Sequence, residues 1–359
     1  LAVVVIVLAL KVLPAHAGEE DSPVDNIGGV LSVIGVACLI MGIQTLPNGF
    51  SATMGVLFAV AAISIALFFW RQTRAPRPLV DLQAASAPSF WVAAVAGTIT
   101  FGSLMGALFL GSQFTQNVLG YDALKAALVT LPMSLALMVV SPLAGKMVAS
   151  KGSRFTLAIG LIVVAIGFVV MVVTWRSGAG IGVVLLAYAI VGGGVGICAT
   201  PAAHALMASL PVSRAGMGSA FTDLTRDFGG AIMQAVMGTV LAIVYANYFT
   251  KAFASLPPQE AANLSDEAAQ QIVGSYQGAE AVAASYPQAP AAQLTAAADK
   301  AFTEGKSVAY VLALVLTLFA LGLVWWKYPR KDDERAFFRK MEEQSRAEEA
   351  AAANAAGAQ

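Results

Sequence analysis

The chain has 359 residues, of which 58% are apolar and only 12% carry a charge. A soluble domain usually carries about a quarter charged residues, so this chain has too little polar surface for water and is expected to reside in lipid. The formal net charge is zero, which leaves nucleic-acid binding without electrostatic support. The two cysteines are too few for a disulfide framework.

Eight apolar segments are each long enough to cross a bilayer as a helix, which requires roughly 20 residues. They comprise residues 26–46, 51–70, 89–112, 123–146, 154–175, 181–208, 220–247 and 306–328. Residues 1–13 are too short to cross and are expected to be the end of a truncated ninth helix. The predicted fold class is therefore all-α, a polytopic membrane bundle of helices.

The segment 249–305 differs from the other connections, which are mostly short and predict antiparallel neighbours. It is long, Ala-rich and acidic and contains four prolines, and it is expected to be a loop. The charged tail, residues 329–359, becomes Ala-rich towards its end. This pattern predicts a surface helix that frays.

The distribution of Lys and Arg predicts the orientation. If residues 1–13 end a span, one set of connectors holds 15 of these residues and the other holds five. The poorer set consists of Lys125, Arg176, Lys251, Lys300 and Lys306. The positive-inside rule places the richer set and the C-terminus in the cytoplasm, with 249–305 outside. A signal peptide ending at Ala15-His16-Ala17 is the alternative, but its charge, Lys11, lies at the wrong end.

Six stretches occur in an order typical of one family. They are DNIGGVLSVIGVACLIMGI (25–43), RAPRPLVDLQ (74–83), FLGSQFTQNVLGYDALKAALVTLP (109–132), GKMVASKGSRFTLAIG (145–160), VGGGVGICATP (191–201) and GMGSAFTDLTRDFGGAIMQAVMGTV (216–240). Together they resemble the major facilitator superfamily, in particular its fourteen-span drug:proton antiporters.

The resemblance implies a division into bundles. Residues 1–13 would end a missing N-terminal six-helix bundle, and 14–88 would hold a cytoplasmic connector and two inserted spans. Residues 89–328 would form the C-terminal six-helix bundle with the extracytoplasmic loop 249–305, and 329–359 would be a cytoplasmic tail. The family implies an inner membrane, a lipid bilayer around the spans, the proton as coupling ion and no cofactor.

The turn GKMVASKGSR (145–154) matches a family motif in which an acidic residue caps a neighbouring helix and basic residues pair with it. The matching positions are Gly145, Lys146, Lys151, Gly152 and Arg154. Ala149 stands where the family often has Asp, so the charge-assisted contact that holds the outward-open state is expected to be incomplete. The alternative is an ordinary positively charged loop.

A charged triplet begins the seventh span. Asp223, Arg226, Asp227 and Gln234 share one helix face with Gly230. Charges below the membrane surface usually face a cavity or a partner, which favours a gate or a proton-linked switch. The alternative is a set of anchors at the headgroups, with the apolar span starting at residue 228.

Amide side chains cluster at the end of the span 89–112, at Gln113, Gln116 and Asn117. Such amides bind a polar solute or another helix, because an unsatisfied amide in lipid costs several kcal/mol. A further set of side chains is either a greasy cavity lining or plain packing. It consists of Phe101, Met105, Phe109, Met133 and Met138.

The glycine string VGGGVGICATP lies inside an apolar run, which excludes a phosphate loop. Gly192 and Gly196 are four residues apart and predict close helix packing, and Pro201 predicts a kink. His204 follows one turn later and is either a proton relay or a polar packing residue. Asp25 is expected to cap the helix that it precedes.

The sequence contains no spacing typical of a metal site or a hydrolase triad, so no metal and no enzymatic activity are expected. The leading interpretation is secondary active efflux of amphipathic drugs or lipid-like compounds, coupled to proton entry. The alternatives are transport of one specific small solute and a non-transporting membrane scaffold or sensor.

Overall fold

The computed structural model describes residues 25–75, 79, 85–210, 215–254 and 265–357. Regular structure in these ranges is entirely helical, and eight helices are long and apolar enough to cross a membrane. The predicted all-α fold is confirmed. The expected helix end at 1–13 lies outside the described residues.

The helices follow the predicted spans closely. The first two are α1 (Asn26–Thr45) and α2 (Ala52–Gln72), and a short turn at Leu46–Asn48 follows α1. The next spans are α3 (Pro88–Gln113), which continues as a π-helical turn over Phe114–Val118, α4 (Ala123–Lys151), α5 (Ser153–Thr174) and α6 (Ile181–Ala208). The last elements are α7 (Ala215–Ala254), α8 (Asp266–Gly274), α9 (Tyr276–Ala283), α10 (Gln288–Lys327) and α11 (Lys331–Gly357).

The segment 249–305, expected to be a loop between two spans, is largely helical where it is described. The helix α7 continues to Ala254, α8 and α9 follow, and α10 begins at Gln288 instead of residue 306. The Ala-rich sequence favours a helix. Pro290 lies in the first turn of α10, where the missing N–H removes no helical hydrogen bond.

The expected cap of α1 by Asp25 is confirmed, because its carboxylate accepts a hydrogen bond from the N–H of Gly28 at 3.1 Å. The same carboxylate accepts a bond from Arg71 Nε at 2.6 Å, which joins the start of α1 to the end of α2. Burial raises the pKa of Asp25, but the Gly28 N–H, the Arg71 guanidinium and Gln72 outweigh it and hold that pKa below its ordinary value.

The six spans from α3 to α10 pack as a bundle, with α3 against α7, α4 and α5 against α6, and α10 against α5 and α7. The α1–α2 pair contacts this bundle where Thr239 donates a hydrogen bond to the Ile43 carbonyl at 3.0 Å. We call the end of the bundle near α8 and α9 the insert end. We call the opposite end, at the α4–α5 turn and the start of α11, the tail end.

Large apolar side chains cover the outside of the bundle. Val33 on α1, Met138 on α4 and Phe319 on α10 are each more than half exposed. Such a surface is unfavourable in water and favourable in an apolar environment such as a bilayer.

Candidate solute pocket and gating residues

A pocket of about 350 Å³ opens at the insert end between α3, α7, α8, α9 and α10. Its walls come from Phe109, Gln113, Gln116, Asn117, Gly238, Leu241, Ala242, Tyr245, Gly274, Ser275, Tyr276, Gln277 and Phe302. None of these described side chains carries a charge, and amides alternate with aromatic rings. The pocket is therefore suited to a solute with an apolar body and a few hydrogen-bonding groups.

The amide wall is formed where α3 changes into its π-helical turn. Gln116 Nε2 donates to the Ser112 hydroxyl at 2.8 Å, within its own helix, and no bond from Gln116 or Gln113 to another helix occurs in the described part of the chain. The expected interhelix role is therefore not seen for these two residues. Both amides line the pocket, next to a π-helical turn of the kind that frequently occurs at functional sites.

The aromatic wall contains a buried hydroxyl without a partner. Tyr245 is 4% exposed, and its hydroxyl has no hydrogen-bond partner among the described residues. An unsatisfied buried hydroxyl costs about 1–3 kcal/mol. On the facing wall, the ring of Phe109 lies against Gly238, whose missing side chain leaves room for it.

Tyr276 connects the α8–α9 insert to the bundle. Its hydroxyl lies 2.8 Å from both the Asn117 carbonyl and Asp299 Oδ1, and it donates its one proton to these acceptors. Burial and, after it, the neighbouring Asp299 carboxylate raise the pKa of Tyr276 above its ordinary value. The hydroxyl therefore remains a donor, which keeps the insert over the pocket.

Only one residue of the expected greasy set, Phe109, lines this pocket. Phe101 and Met105 pack against the core of the bundle, and Met133 is buried in it. Met138 is 64% exposed on the outside. The alternative interpretation as packing therefore describes the first three, and Met138 faces outward.

The charged triplet lies within α7. This helix begins at Ala215, five residues before the expected start of the span at residue 220. Asp223, Arg226 and Asp227 are all exposed, and Gln234 is half-buried. Arg226 Nε is 3.8 Å from Asp227 Oδ1, with both side chains more than half exposed. The structure thus places the three charges on an outward face of the described bundle.

At the tail end, the α4–α5 turn is braced by α11. Gly152 adopts a φ of 86°, a conformation that favours glycine, and the side chain of Lys331 packs against it. Arg154 donates to the Trp325 carbonyl and stacks on its ring, and Lys151 lies over the ring of Phe155 at 4.6 Å.

The remaining motif positions have looser surroundings. Lys146 is exposed, and a Cβ added to Gly145 would meet no described atom within 4 Å. These two residues therefore show no close helix approach in this structure. A second pocket, of about 320 Å³, separates Gly145 from Arg335 on α11.

A buried acidic residue of α11 caps the start of α5, close to Ala149. Glu334 is 3% exposed, and its Oε2 accepts a hydrogen bond from the Ser153 N–H at 3.1 Å. Arg335 donates to the Ala149 carbonyl at 2.8 Å. Sequence reasoning missed Glu334 because it is 181 residues from its partner and lies in a segment that looks like an ordinary charged tail.

The glycine string brings α6 close to α4. A Cβ on Gly192 would overlap the Met133 carbonyl, and one on Gly196 would come within 2.9 Å of the Leu137 carbonyl. The helix α6 continues through Pro201 to Ala208. His204 is exposed at the tail end and contacts the ring of Phe338 edge-on at 5.4 Å.

Lys306 is a second residue that sequence reasoning missed, because it was counted among the charges outside the membrane. It lies inside α10 with no exposed surface, and its Nζ donates to the Trp175 carbonyl at 2.8 Å. Its Nζ also lies 4.9 Å from the ring centre of Phe114 and 5.4 Å from that of Tyr310. A signal was present, since Lys306 opens a long apolar run and Tyr310 follows one turn later.

Comparison with known proteins identifies the family. Residues 24–234 match the model of the Major Facilitator Superfamily. The chain is 31% identical over 324 residues to the multidrug efflux pump LfrA of Mycolicibacterium smegmatis, covering 89% of this chain and 62% of that protein. It is 32% identical over 241 residues to the multidrug resistance protein Stp of Mycobacterium tuberculosis, covering 66% of this chain and 44% of Stp.

A third relative is the tetracenomycin C resistance and export protein of Streptomyces glaucescens, with 25% identity over 340 residues. The match covers 92% of this chain and 62% of that protein. The chain thus spans less than two thirds of the length of these relatives. With eight candidate membrane spans and a family match over more than half its residues, the chain is a multi-pass membrane protein that belongs to the Major Facilitator Superfamily of transporters.

Proposed function

We propose that this chain is the C-terminal portion of a fourteen-span drug:proton antiporter that exports amphipathic drugs or lipid-like compounds. The observation that carries the proposal is the uncharged pocket at the insert end, which is lined by the amides of Gln113 and Gln116 and the rings of Phe109 and Tyr245. Aromatic and amide walls accept varied apolar bodies and bond a few polar groups. Three relatives whose names describe drug efflux, resistance or export support the same activity.

In this proposal, α1 and α2 are the inserted pair, and the spans α3 to α10 form the C-terminal bundle. The second half of the transporter is a six-helix bundle that belongs to the rest of a longer protein. The solute binds between the two bundles, which rock so that it meets one side of the membrane at a time.

The orientation places the tail end in the cytoplasm and the insert end outside, in a bacterial inner membrane. The Lys and Arg residues of the α4–α5 turn and of α11 support it, because positively charged segments remain on the cytoplasmic side. Cysteines introduced at Gly152 and Ser275 test it. A reagent that does not cross lipid should label only the second from outside intact cells, and the reverse pattern contradicts the orientation.

Residues at the tail end are proposed to form the gate. The exposed triplet of Asp223, Arg226 and Asp227 is positioned to pair with charges of the other bundle, since charges near the membrane boundary require partners or water. Gln234, three turns further along α7, would line the pathway, and His204 would contribute a polar contact. The α4–α5 turn, braced by Glu334, would fix the helix ends around this gate.

Transport of one specific small solute is a second candidate. The pocket volume of about 350 Å³ favours it, because ligand pockets range from roughly 300 to 1,000 Å³ and this one is near the lower limit.

The deciding experiment is efflux of fluorescent amphipathic dyes from cells that express the protein from its complete gene, with and without a proton uncoupler. We expect several unrelated dyes to be exported and the export to stop with the uncoupler. Retention of every dye contradicts drug efflux, and export of a single compound supports the specific-solute candidate. Export that continues with the uncoupler contradicts proton coupling.

A further inference from the structure

Lys306 is a lysine enclosed within the span α10. It has no exposed surface, and no described carboxylate forms an ion pair with it. Among the described residues, its side chain makes one hydrogen bond, which Nζ donates to the Trp175 carbonyl. An ionisable side chain buried in a membrane span without an opposite charge is costly and usually functional.

The surroundings of Lys306 form an aromatic cage contributed by separate elements. Phe114 comes from the π-helical turn after α3, Trp175 from the end of α5, and Tyr310 from α10 itself. The rings of Phe114 and Trp175 are stacked, with 5.2 Å between their centres, and the ring of Tyr188 on α6 packs edge-on against Trp175. Aromatic faces attract an ammonium and not a neutral amine, so protonation of Nζ changes how strongly these elements are held together.

Hydrogen bonding in the cage also depends on the charge of Nζ. An ammonium has three donors and no acceptor, whereas the neutral amine has a lone pair. The hydroxyls of Tyr188 and Tyr310 and the indole N–H of Trp175 have no partners among the described residues, and Nζ is therefore not one of them. The lone pair of a neutral amine has no donor in this arrangement, whereas the rings suit the ammonium.

The cage is adjacent to the solute pocket. Phe302, which lines the pocket, precedes Lys306 by four residues of α10, a rise of about 6 Å. Phe114, in the cage, directly follows the pocket residue Gln113. Gly305 lets α10 approach Leu241, another pocket residue. A change in the cage therefore acts on the same backbone that holds the pocket walls.

The titratable groups around Lys306 leave it as the proton site of this region. Tyr310 and Tyr188 are phenols, and Arg176, at the end of α5, remains charged at all relevant pH values.

The nearest carboxylate in sequence, Glu304, is exposed. Asp299 accepts hydrogen bonds from Tyr276 and Ser177 instead, and Tyr245 of α7 faces the pocket.

We propose that Lys306 is a proton-binding residue of the transport cycle, and that proton uptake at its Nζ weakens solute binding in the adjacent pocket. The inference rests on the proposed drug:proton antiport. A proton enters from the insert end past Phe302 and converts the amine to an ammonium. The ammonium draws Phe114 and the π-helical turn into the cage, and the amide wall of the pocket shifts with them. Because linkage is reciprocal, solute binding releases the proton.

The test compares Lys306→Met and Lys306→Arg with the wild type, each expressed from the complete gene and purified in detergent. Lys300→Met is the matched control, because Lys300 is an exposed lysine on the same helix. Dye is added in weak buffer, and proton release is read with a pH indicator. Wild type and control should release protons and bind dye more weakly at low pH. Both Lys306 variants should bind dye without proton release and with an affinity independent of pH.

The two variants separate proton binding from other roles. Proton release that persists in Lys306→Arg would mean that only a positive charge is required, and release that persists in Lys306→Met would mean that only packing is required; either result overturns the proposal. If the wild type fails to couple dye and proton, the antiport itself is wrong, which is a different outcome.

Wild-type protein provides the readout if neither variant folds. Lys306 is then acetylated with acetic anhydride, which reacts with neutral amines, and the modified fraction is measured by mass spectrometry with and without dye. We expect bound dye to change this fraction for Lys306 and not for Lys300. An unchanged fraction at Lys306 overturns the proposal.

Discussion

Glu334 accepts a hydrogen bond from the backbone N–H of Ser153 at 3.1 Å and another from the Tyr328 hydroxyl at 2.9 Å. The first bond satisfies a free N–H at the start of α5, where a negative charge is also favoured by the helix dipole. The second ties the end of α10 to α11. The C-terminal helix is thus a structural part of the tail end.

Replacing Glu334 should therefore loosen the tail end. We expect Glu334→Ala to destabilise the protein by about 1–3 kcal/mol, because it leaves two buried donors without an acceptor. The measurement is thermal unfolding in detergent together with the rate of proteolytic removal of α11. Asp333→Ala removes an exposed neighbouring acid and is the control. Equal stability of both variants contradicts the capping role.

The Asp25 carboxylate should make the α1–α2 pair sensitive to acid. Its pKa is held below the ordinary value of 3.8, so its stabilising effect is present above that value and is lost as the pH falls through the lowered pKa. We expect Asp25→Asn to unfold at a lower temperature than wild type at neutral pH, and the difference to shrink as the pH falls below the ordinary value and through the lowered pKa. A difference that does not depend on pH would rule out the ionised carboxylate as its cause.

Two adjacent glycines of α6 should respond differently to the same substitution. Gly192→Ala places a methyl group on the Met133 carbonyl, whereas a Cβ on Gly193 has no described atom within 4 Å. We expect Gly192→Ala to lose about 1–3 kcal/mol of stability through overpacking. Gly193→Ala should be neutral or gain up to about 1 kcal/mol from helix propensity. Thermal unfolding of the two purified variants makes the comparison, and similar values would contradict close α4–α6 packing.

The Tyr245 hydroxyl should matter for solute binding and not for folding. It has no partner in the described structure, so Tyr245→Phe should leave the unfolding temperature unchanged or raise it. If a solute satisfies the hydroxyl, dye affinity should fall about three- to tenfold, the value of one hydrogen bond. Tyr248→Phe, on the same helix, is the control. An unchanged affinity for Tyr245→Phe would show that solutes do not use this hydroxyl.

The exposed Arg226 distinguishes a gate from a headgroup anchor. If it pairs with charges of the other bundle, Arg226→Ala should abolish dye export while the amount of protein in the membrane stays the same. Lys251→Ala, another exposed cation on α7, should export normally. Normal export by Arg226→Ala would support the anchor interpretation.

The sequence alone determined the environment and the helices. A composition with few charges requires lipid, and apolar runs of about 20 residues predict the spans that are observed. The sequence also predicted contacts between residues that are close along the chain. The cap formed by Asp25 and Gly28 is an example, because the two residues lie within one helical turn. Gly192 and Gly196 could be assigned to packing because only small residues permit such close contact.

Only the tertiary structure decided which distant side chains meet. It joined Glu334 to Ser153, assembled the pocket from five helices, and enclosed Lys306 between Phe114, Trp175 and Tyr310. Hydrophobic periodicity indicates that a residue lies in a span, but the same lysine is equally compatible with an exposed boundary and a buried cage. Which of these it occupies depends on how the helices pack, because burial is a property of neighbours that are remote along the chain.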